Sequence, residues 1–365
     1  MRTGTVSLPL HSGKTPRWLF NHMKDLSREI LSFLVSEYSP EEVLDRLSDP
    51  FWFQAFGCVL GFDWHSSGIT TTVCGAVKES IKCREKDFGL FVAGGKGGTS
   101  RKTPSEIETA GEKLGLDLSH LVYFSKIVAK VDSTALQDDY QLYHHCFLFT
   151  DNGKKWAVVQ QGMNEFIRMA RRYHWSSSEI EDFVNNPHKA ICCDSSGKVM
   201  NLVVKESNKA RGTITEISHQ KPGLLMGYLK KIKKYQENKY SMPKRHYINL
   251  SDVEMIRLEK IFISTYEKKP SDFETLISLL GVGPKTVRSL AMISELIYGE
   301  KYSIKDPVRF SFAHGGKDGI PYPIDSEVCE ESVDILHKAL KESKIGRTDK
   351  IKAIRRLSDF YCNDG

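Results

Sequence analysis

The sequence predicts an α+β fold: a mixed α/β N-terminal domain over residues 1–204, then an all-helical domain over residues 250–365. Three observations carry that division. Tyr143 to Thr150 and Lys155 to Val159 have strand composition, and Asp151-Asn152-Gly153 joins them as a β-hairpin turn would. Beyond residue 250 the periodic segments have helical spacing and helical caps, beginning at Ser251-Asp252-Val253-Glu254. Between the two domains, residues 205–249 form a basic connecting segment interleaved with Tyr228, Tyr235, Tyr240 and Tyr247. Eleven Lys or Arg stand there against three Glu, a local excess larger than the formal charge of +6 on the whole chain. Such a surface suits phosphates and exposed bases, or else water around a linker helix.

Composition bounds the function before any motif does. At 365 residues and 40% apolar content the chain has enough material for one large core or two moderate ones. No run approaches the roughly 18 apolar residues that span a bilayer, and the start lacks an apolar signal core. A cytoplasmic, nucleoid-associated protein with no membrane partner is expected. The eight cysteines show neither a repeated metal spacing nor a disulfide framework, so they read as buried thiols and no metal is expected.

In chain order, Met23, Leu26, Ile30 and Leu34 share a helical face. Ser39-Pro40-Glu41-Glu42 and Asp49-Pro50 each start a further helix. Asp63-Trp64-His65-Ser66-Ser67-Gly68 is a compact polar segment, and Thr70 to Val73 has strand composition. Gly89 to Ala93 reads as a strand that empties into Gly94-Gly95-Lys96-Gly97-Gly98. Those amides and Lys96 suit either a phosphate contact or a plain turn, and the spacing is not that of a P-loop. Thr103-Pro104-Ser105-Glu106 has the form of a capping box, and a helix is expected over 121–131. His144 and His145 fall on opposite faces of their strand, so that strand alone cannot offer both to one metal. Arg171-Arg172-Tyr173-His174-Trp175 either clamps a phosphate and stacks a base or simply salt-bridges and packs.

The most informative stretch is Ser271 to Gly299. Ser271 and Glu274 are spaced as a capping box, and Phe273, Leu276, Ile277 and Leu280 follow on one helical face. Gly281 and Gly283 then permit a tight turn, Pro284 suits the first position of a second helix, and Gly299 its C-cap. Unpaired N–H groups at such a turn, with Lys285 and Thr286 beside them, suit one backbone phosphate. Leu279 to Thr286 resembles the helix-hairpin-helix motif of DNA repair proteins, and the whole stretch resembles that of the DNA glycosylase superfamily which carries it. The resemblance implies Gly281, Gly283, Lys285 and Thr286 as DNA contacts. It also implies an essential aspartate about one helix further on, where Asp306 opens Asp306-Pro307-Val308-Arg309. Two amphipathic helices, roughly 327–342 and 348–360, close the chain and are expected to pack on the hairpin.

The Asp63 to Gly68 segment, the Gly94 to Gly97 loop, Tyr143-His144-His145, Gln160-Gln161-Gly162-Met163, Arg171 to Trp175 and His314-Gly315-Gly316-Lys317-Asp318-Gly319 together resemble the prokaryotic domain-of-unknown-function family 763. That family is found largely in archaea. Its members are linked to removal of oxidised pyrimidines such as 5-hydroxyuracil from DNA.

The resulting expectation is a DNA glycosylase of base excision repair that flips a damaged pyrimidine from duplex or single-stranded DNA. Asp306 would stabilise the positive charge that develops on the sugar, unless it is only a turn residue before Pro307. Lys285 either contacts a phosphate or, as a neutral amine, attacks the anomeric carbon and adds lyase activity. Further DNA contacts are expected at Lys96, Arg171, Arg172 and Lys317. The base pocket is expected among Asp63, Trp64, His65, Gln160, Gln161, Tyr173 and His174. No cofactor is required, although an alkali-metal ion at the hairpin turn is an option. The alternatives are a metal-dependent nuclease using the N-terminal Asp and His residues, and a non-catalytic DNA-binding adaptor.

Overall fold

The computed structural model describes residues 15–62, 67–193, 196–232, 252–308 and 326–362. Its centre is a five-stranded antiparallel sheet built from β1 (Leu90–Lys96), β3 (Gln141–Thr150), β4 (Trp156–Asn164), β5 (Met169–Ser176) and β6 (Ala190–Cys192), in that spatial order. The expected hairpin is β3–β4, with the Thr150 amide bonded to the Lys155 carbonyl across its turn. A smaller antiparallel sheet orders β2 (Leu136–Gln137), β7 (Lys198–Asn201) and β8 (Ser303–Lys305) side by side. The mixed α+β class is therefore the observed one.

The large sheet is buried on both faces, and alternation along each strand sends adjacent residues into different cores. One face carries Phe147, Phe149, Trp156, Val158, Tyr173 and Trp175. The other carries Cys146, Leu148, Ala157, Val159, Ala170 and Cys192.

Against the second face pack α1 (Arg17–Glu37), α2 (Pro40–Ser48), α3 (Pro50–Leu60), α4 (Gly68–Ile81) and the short α5 (Glu85–Phe88). The caps read from sequence hold here: Ser39 accepts from the Glu42 amide at 3.2 Å and Asp49 from the Trp52 amide at 2.7 Å. Thr70 to Val73, expected as a strand, lies inside α4. Ile69, Val73, Ala76, Val77 and Ile81 continue the apolar face at helical spacing, and packing overrides the local β preference. Also in this core are α13 (Ser326–Glu342) and α14 (Arg347–Cys362), which pack on α1 and α3 through residues such as Leu336, Leu340 and Leu357. Their expected packing on the hairpin is thus corrected: the chain's two ends close one layer.

The first face is covered by α6 (Thr103–Leu114), α7 (Ser119–Lys130), α8 (Asn208–Ser218), α9 (Pro222–Ile232), α10 (Asp252–Lys268), α11 (Phe273–Ser278) and α12 (Pro284–Tyr298). Residues 205–232 therefore belong to the hairpin's own core, through Ile214, Leu225 and Leu229, and as far as Ile232 they are not a connecting segment. Residues 233–251, with most of the expected basic stretch, lie outside the described residues. Two capping boxes also resolve differently. Asp272, not Ser271, caps α11 by accepting from the Thr275 amide at 2.7 Å. Glu106 does not close a box at α6, because its carboxylate is taken by the Gly94 amide at 2.7 Å and Lys78 at 2.6 Å. No helix among the described residues is long and apolar enough to cross a membrane.

Candidate functional site: a cavity between the sheet and the hairpin

The turn between α11 and α12 has the backbone that its glycines permit. Gly281 sits at φ +90°, and Gly283 is extended, immediately ahead of Pro284 at the first position of α12. Leu280 projects from this turn with 90% of its surface exposed, while Val282 beside it is buried. Two residues of the α/β half hold the turn: the Lys130 ammonium donates to the Val282 carbonyl, and Gln137 Nε2 donates to the Pro284 carbonyl at 3.0 Å.

Next to the turn lies a cavity of about 680 Å³. Ser278, Leu279 and Leu280 form its hairpin wall, α7 supplies Tyr123, Ser125, Lys126 and Lys130, and β3 and β4 supply Tyr143, His144, His145 and Gln160. Arg101 adds a further cation at the edge. Burial draws the Lys130 amine below the ordinary lysine range, so its uncharged form is more accessible than that of a surface lysine.

A hydrogen-bonded chain runs from the cavity wall into the core. Asp132 accepts from Gln160 Nε2 at 2.6 Å, which fixes the amide so that Gln160 Oε1 faces His145 Nδ1 at 2.8 Å. Nδ1 must then carry the proton. That leaves His145 Nε2 as acceptor for the Ser125 hydroxyl at 2.9 Å, a tautomer assigned by the network. Burial lowers the His145 pKa, consistent with this neutral ring. Asp132 is also held by His188 at 2.5 Å and by the Trp175 indole at 2.9 Å. The Ser125–His145–Gln160–Asp132 chain escaped sequence reasoning because its members come from α7, β3, β4 and the segment after α7, with no diagnostic spacing.

The structure distributes the sequence-derived candidates unevenly. Gln160 reaches the cavity wall, but both ends of its amide are committed, so it orients His145 and is not free to read a base. Gln161 points to the opposite face and donates to the Ser67 carbonyl at 2.8 Å and to the Tyr143 hydroxyl. Tyr173 and His174 are wholly buried in the two cores and line no part of this cavity. Arg171 and Arg172 are equally buried, which corrects their reading as DNA contacts: neither guanidinium is presented to a backbone outside the fold. Asp63, Trp64, His65 and Lys317 lie outside the described residues.

Lys285 and Asp306 do not line the cavity either. The Lys285 ammonium pairs with Glu254 of α10. Asp306 meets Arg171 through both oxygens, at 3.1 and 2.8 Å, and accepts from the Gly197 and Val308 amides at 3.0 and 3.2 Å. Arg171 is shared with Asp138 at 2.8 Å, and Tyr173 donates to the same Asp138 oxygen at 2.7 Å. This buried cluster pins the segment after β8 to the large sheet. Thr286 is buried in the first turn of α12. Lys96 is exposed, 5.8 Å from the Tyr143 ring centroid. Gly94 and Gly95 belong to β1 and not to a phosphate cradle: a Cβ on Gly94 would lie 2.2 Å from the His145 carbonyl oxygen, so the glycine permits β1 to approach β3.

No curated protein and no solved structure matches the chain. The model of one family, described as a protein of unknown function (DUF763), matches residues 4–324, a span that holds the large sheet, the cavity and the hairpin turn. The chain therefore belongs to the DUF763 family.

Proposed function

We propose that this protein is a DNA glycosylase that grips a damaged strand at the Gly281–Pro284 turn and receives the extruded base in the adjoining cavity. The observation that carries the reading is the shared wall. The same residues that lead into the turn, Ser278 to Leu280, also line a cavity of about 680 Å³, a size suited to a nucleoside. A glycosylase must take its target base out of the stack, so backbone grip and base pocket have to be neighbours. Arg101 and Lys126 give the cavity a positive rim for phosphates. The DNA substrate, the 5-hydroxyuracil-type lesion and the repair role rest on the helix-hairpin-helix and family resemblances.

For strand cleavage we assign the nucleophile to Lys130 in preference to Lys285. Lys130 lines the cavity and is desolvated, whereas Lys285 is bound to Glu254 outside it. Its uncharged lone pair forms the bond to the anomeric carbon as the glycosidic bond breaks, and the resulting Schiff base opens the route to strand scission. Lys130 also donates to the Val282 carbonyl, taking an acceptor that an alkali-metal ion at the turn would use. Asp306 becomes a positioning group that fixes the β8 segment through Arg171.

The test uses an oligonucleotide panel, each member bearing one damaged base, with chelator and borohydride. Trapped protein–DNA adduct on 5-hydroxyuracil is expected with the native chain and with Lys285→Gln, and not with Lys130→Gln. Base release without any trapped adduct removes the lyase assignment. No release from any lesion sinks the glycosylase reading and leaves the metal-dependent nuclease or the adaptor, which a repeat with magnesium in place of chelator separates.

A further inference from the structure

We propose that Cys74, His144 and Cys146 bind a zinc ion in the core between the large sheet and the N-terminal helices. Their donor atoms, two Sγ and an imidazole nitrogen, all lie within 4.8 Å of one another. Zinc–sulfur bonds of about 2.3 Å and zinc–nitrogen bonds of about 2.0 Å need donors roughly 3.5 to 3.8 Å apart, so closing on an ion takes about an ångström of side-chain adjustment. The frame is rigid. His144 and Cys146 are two apart on the same face of β3, where β1 and β4 pair on either side, and Cys74 projects from α4.

The second observation is polar and independent of the cysteines. His144 is 1% exposed, and neither of its ring nitrogens has a hydrogen-bond partner. A buried imidazole with both nitrogens idle forfeits the hydrogen bonds it would make in water, and an ion bound at one nitrogen recovers part of that loss. Across the sheet, with Gln161 of β4 between them, Arg172 is fully buried, with Nε and Nη2 unbonded and Nη1 donating to the neutral Gln54 amide at 3.1 Å. The groups that act most strongly on this guanidinium are the thiols of Cys192, Cys74 and Cys58. Binding the ion converts two of the cluster's thiols to thiolates and releases two protons. Thiolate sulfur at Cys74 then gives Arg172 the anionic neighbour that a neutral thiol does not.

Two thiolates and an imidazole select a borderline-soft ion such as zinc over magnesium or calcium. Three protein donors leave the fourth tetrahedral position to water or an added ligand. His144 also borders the cavity, but Cys74 and Cys146 do not, and the site is tested by metal content, a readout separate from base release.

The experiment is metal analysis of the full-length protein, purified reduced and without a metal-affinity tag, followed by replacement with cobalt(II). One zinc per chain is expected, and on exchange thiolate-to-cobalt charge-transfer bands in the near ultraviolet with tetrahedral bands in the visible. Cys74→Ser, Cys146→Ser and His144→Gln are each expected to weaken binding by more than about 100-fold. His144→Gln removes a ligand without disturbing either thiol, so it remains informative if a serine variant fails to fold. Protein that takes up neither metal, or that holds it unchanged in all three variants, overturns the assignment.

Discussion

The two faces of the large sheet carry nearly the same polar residues and treat them in opposite ways. Neighbours on one strand make the comparison direct: His145 against His144, Gln160 against Gln161, Arg171 against Arg172. Toward the hairpin, His145 bonds Ser125 and Gln160, Gln160 reaches Asp132, and Arg171 meets two carboxylates. Toward the N-terminal helices, His144 bonds nothing at either nitrogen, Gln161 Oε1 is idle, and Arg172 meets the Gln54 amide, the Phe53 ring and thiols in place of a carboxylate. All six residues are buried, so exposure does not explain the contrast. It teaches that the hairpin face satisfies these polar groups with its own side chains, whereas the other face leaves buried nitrogens without partners, which the proposed zinc ion would in part relieve.

The sharpest way to test this is to replace each arginine by methionine in metal-free protein. Arg171→Met leaves Asp138 and Asp306 buried without their shared counter-charge and is expected to cost about 3–5 kcal/mol in urea unfolding. Arg172→Met removes a buried cation with no carboxylate partner and is expected to be close to neutral, within about 1 kcal/mol. Equal losses at the two positions would break the comparison.

Acid should read out the same core more gradually. Burial holds His144, His145 and His174 below the ordinary histidine value, His144 to about 3, with the neighbouring Lys96 and His145 adding to the shift of His144. For His174, Arg172 and Lys189 act in the same direction as burial, while at His145 the bond to Gln160 and the charge of Asp132 oppose it. Between pH 6.5 and about 3 the unfolded chain binds protons that the folded His144 does not, so stability must fall as the pH drops. The slope approaches roughly 1.4 kcal/mol per pH unit for each histidine that stays neutral. Urea midpoints at pH 7 and pH 5.5 measure it, and a flat profile would mean that these rings are hydrated.

The smallest effect separates the two histidines. His145→Phe severs bonds to Ser125 and Gln160 and is expected to cost about 1–3 kcal/mol. In metal-free protein His144→Phe has no bond to lose and should cost less than about 1 kcal/mol, a difference visible in paired thermal melts.

Local features were legible in the chain itself. The β3–β4 hairpin, the caps at Ser39 and Asp49, the positive φ at Gly281 and the start of α12 at Pro284 depend on residues within a few positions of each other, where backbone sterics decide. Alternation along β3 also placed His144 and His145 on opposite faces. The third member of the Cys74–His144–Cys146 cluster comes from α4, about seventy residues earlier, so no local spacing announces it.

Only the tertiary structure decided which polar residues meet. Locally, Arg171 suits a DNA contact and Asp306 an ionised carboxylate beside the sugar, yet the fold pairs the two across 135 residues. Lys130 and Ser125 gave no signal, since α7 alone is an unremarkable amphipathic helix and becomes a cavity wall only once α11 and β3 pack beside it. Sequence fixes what a segment prefers over a few residues. Where its side chains find partners is set by long-range packing, because desolvation and hydrogen bonding depend on neighbours that arrive from anywhere in the chain.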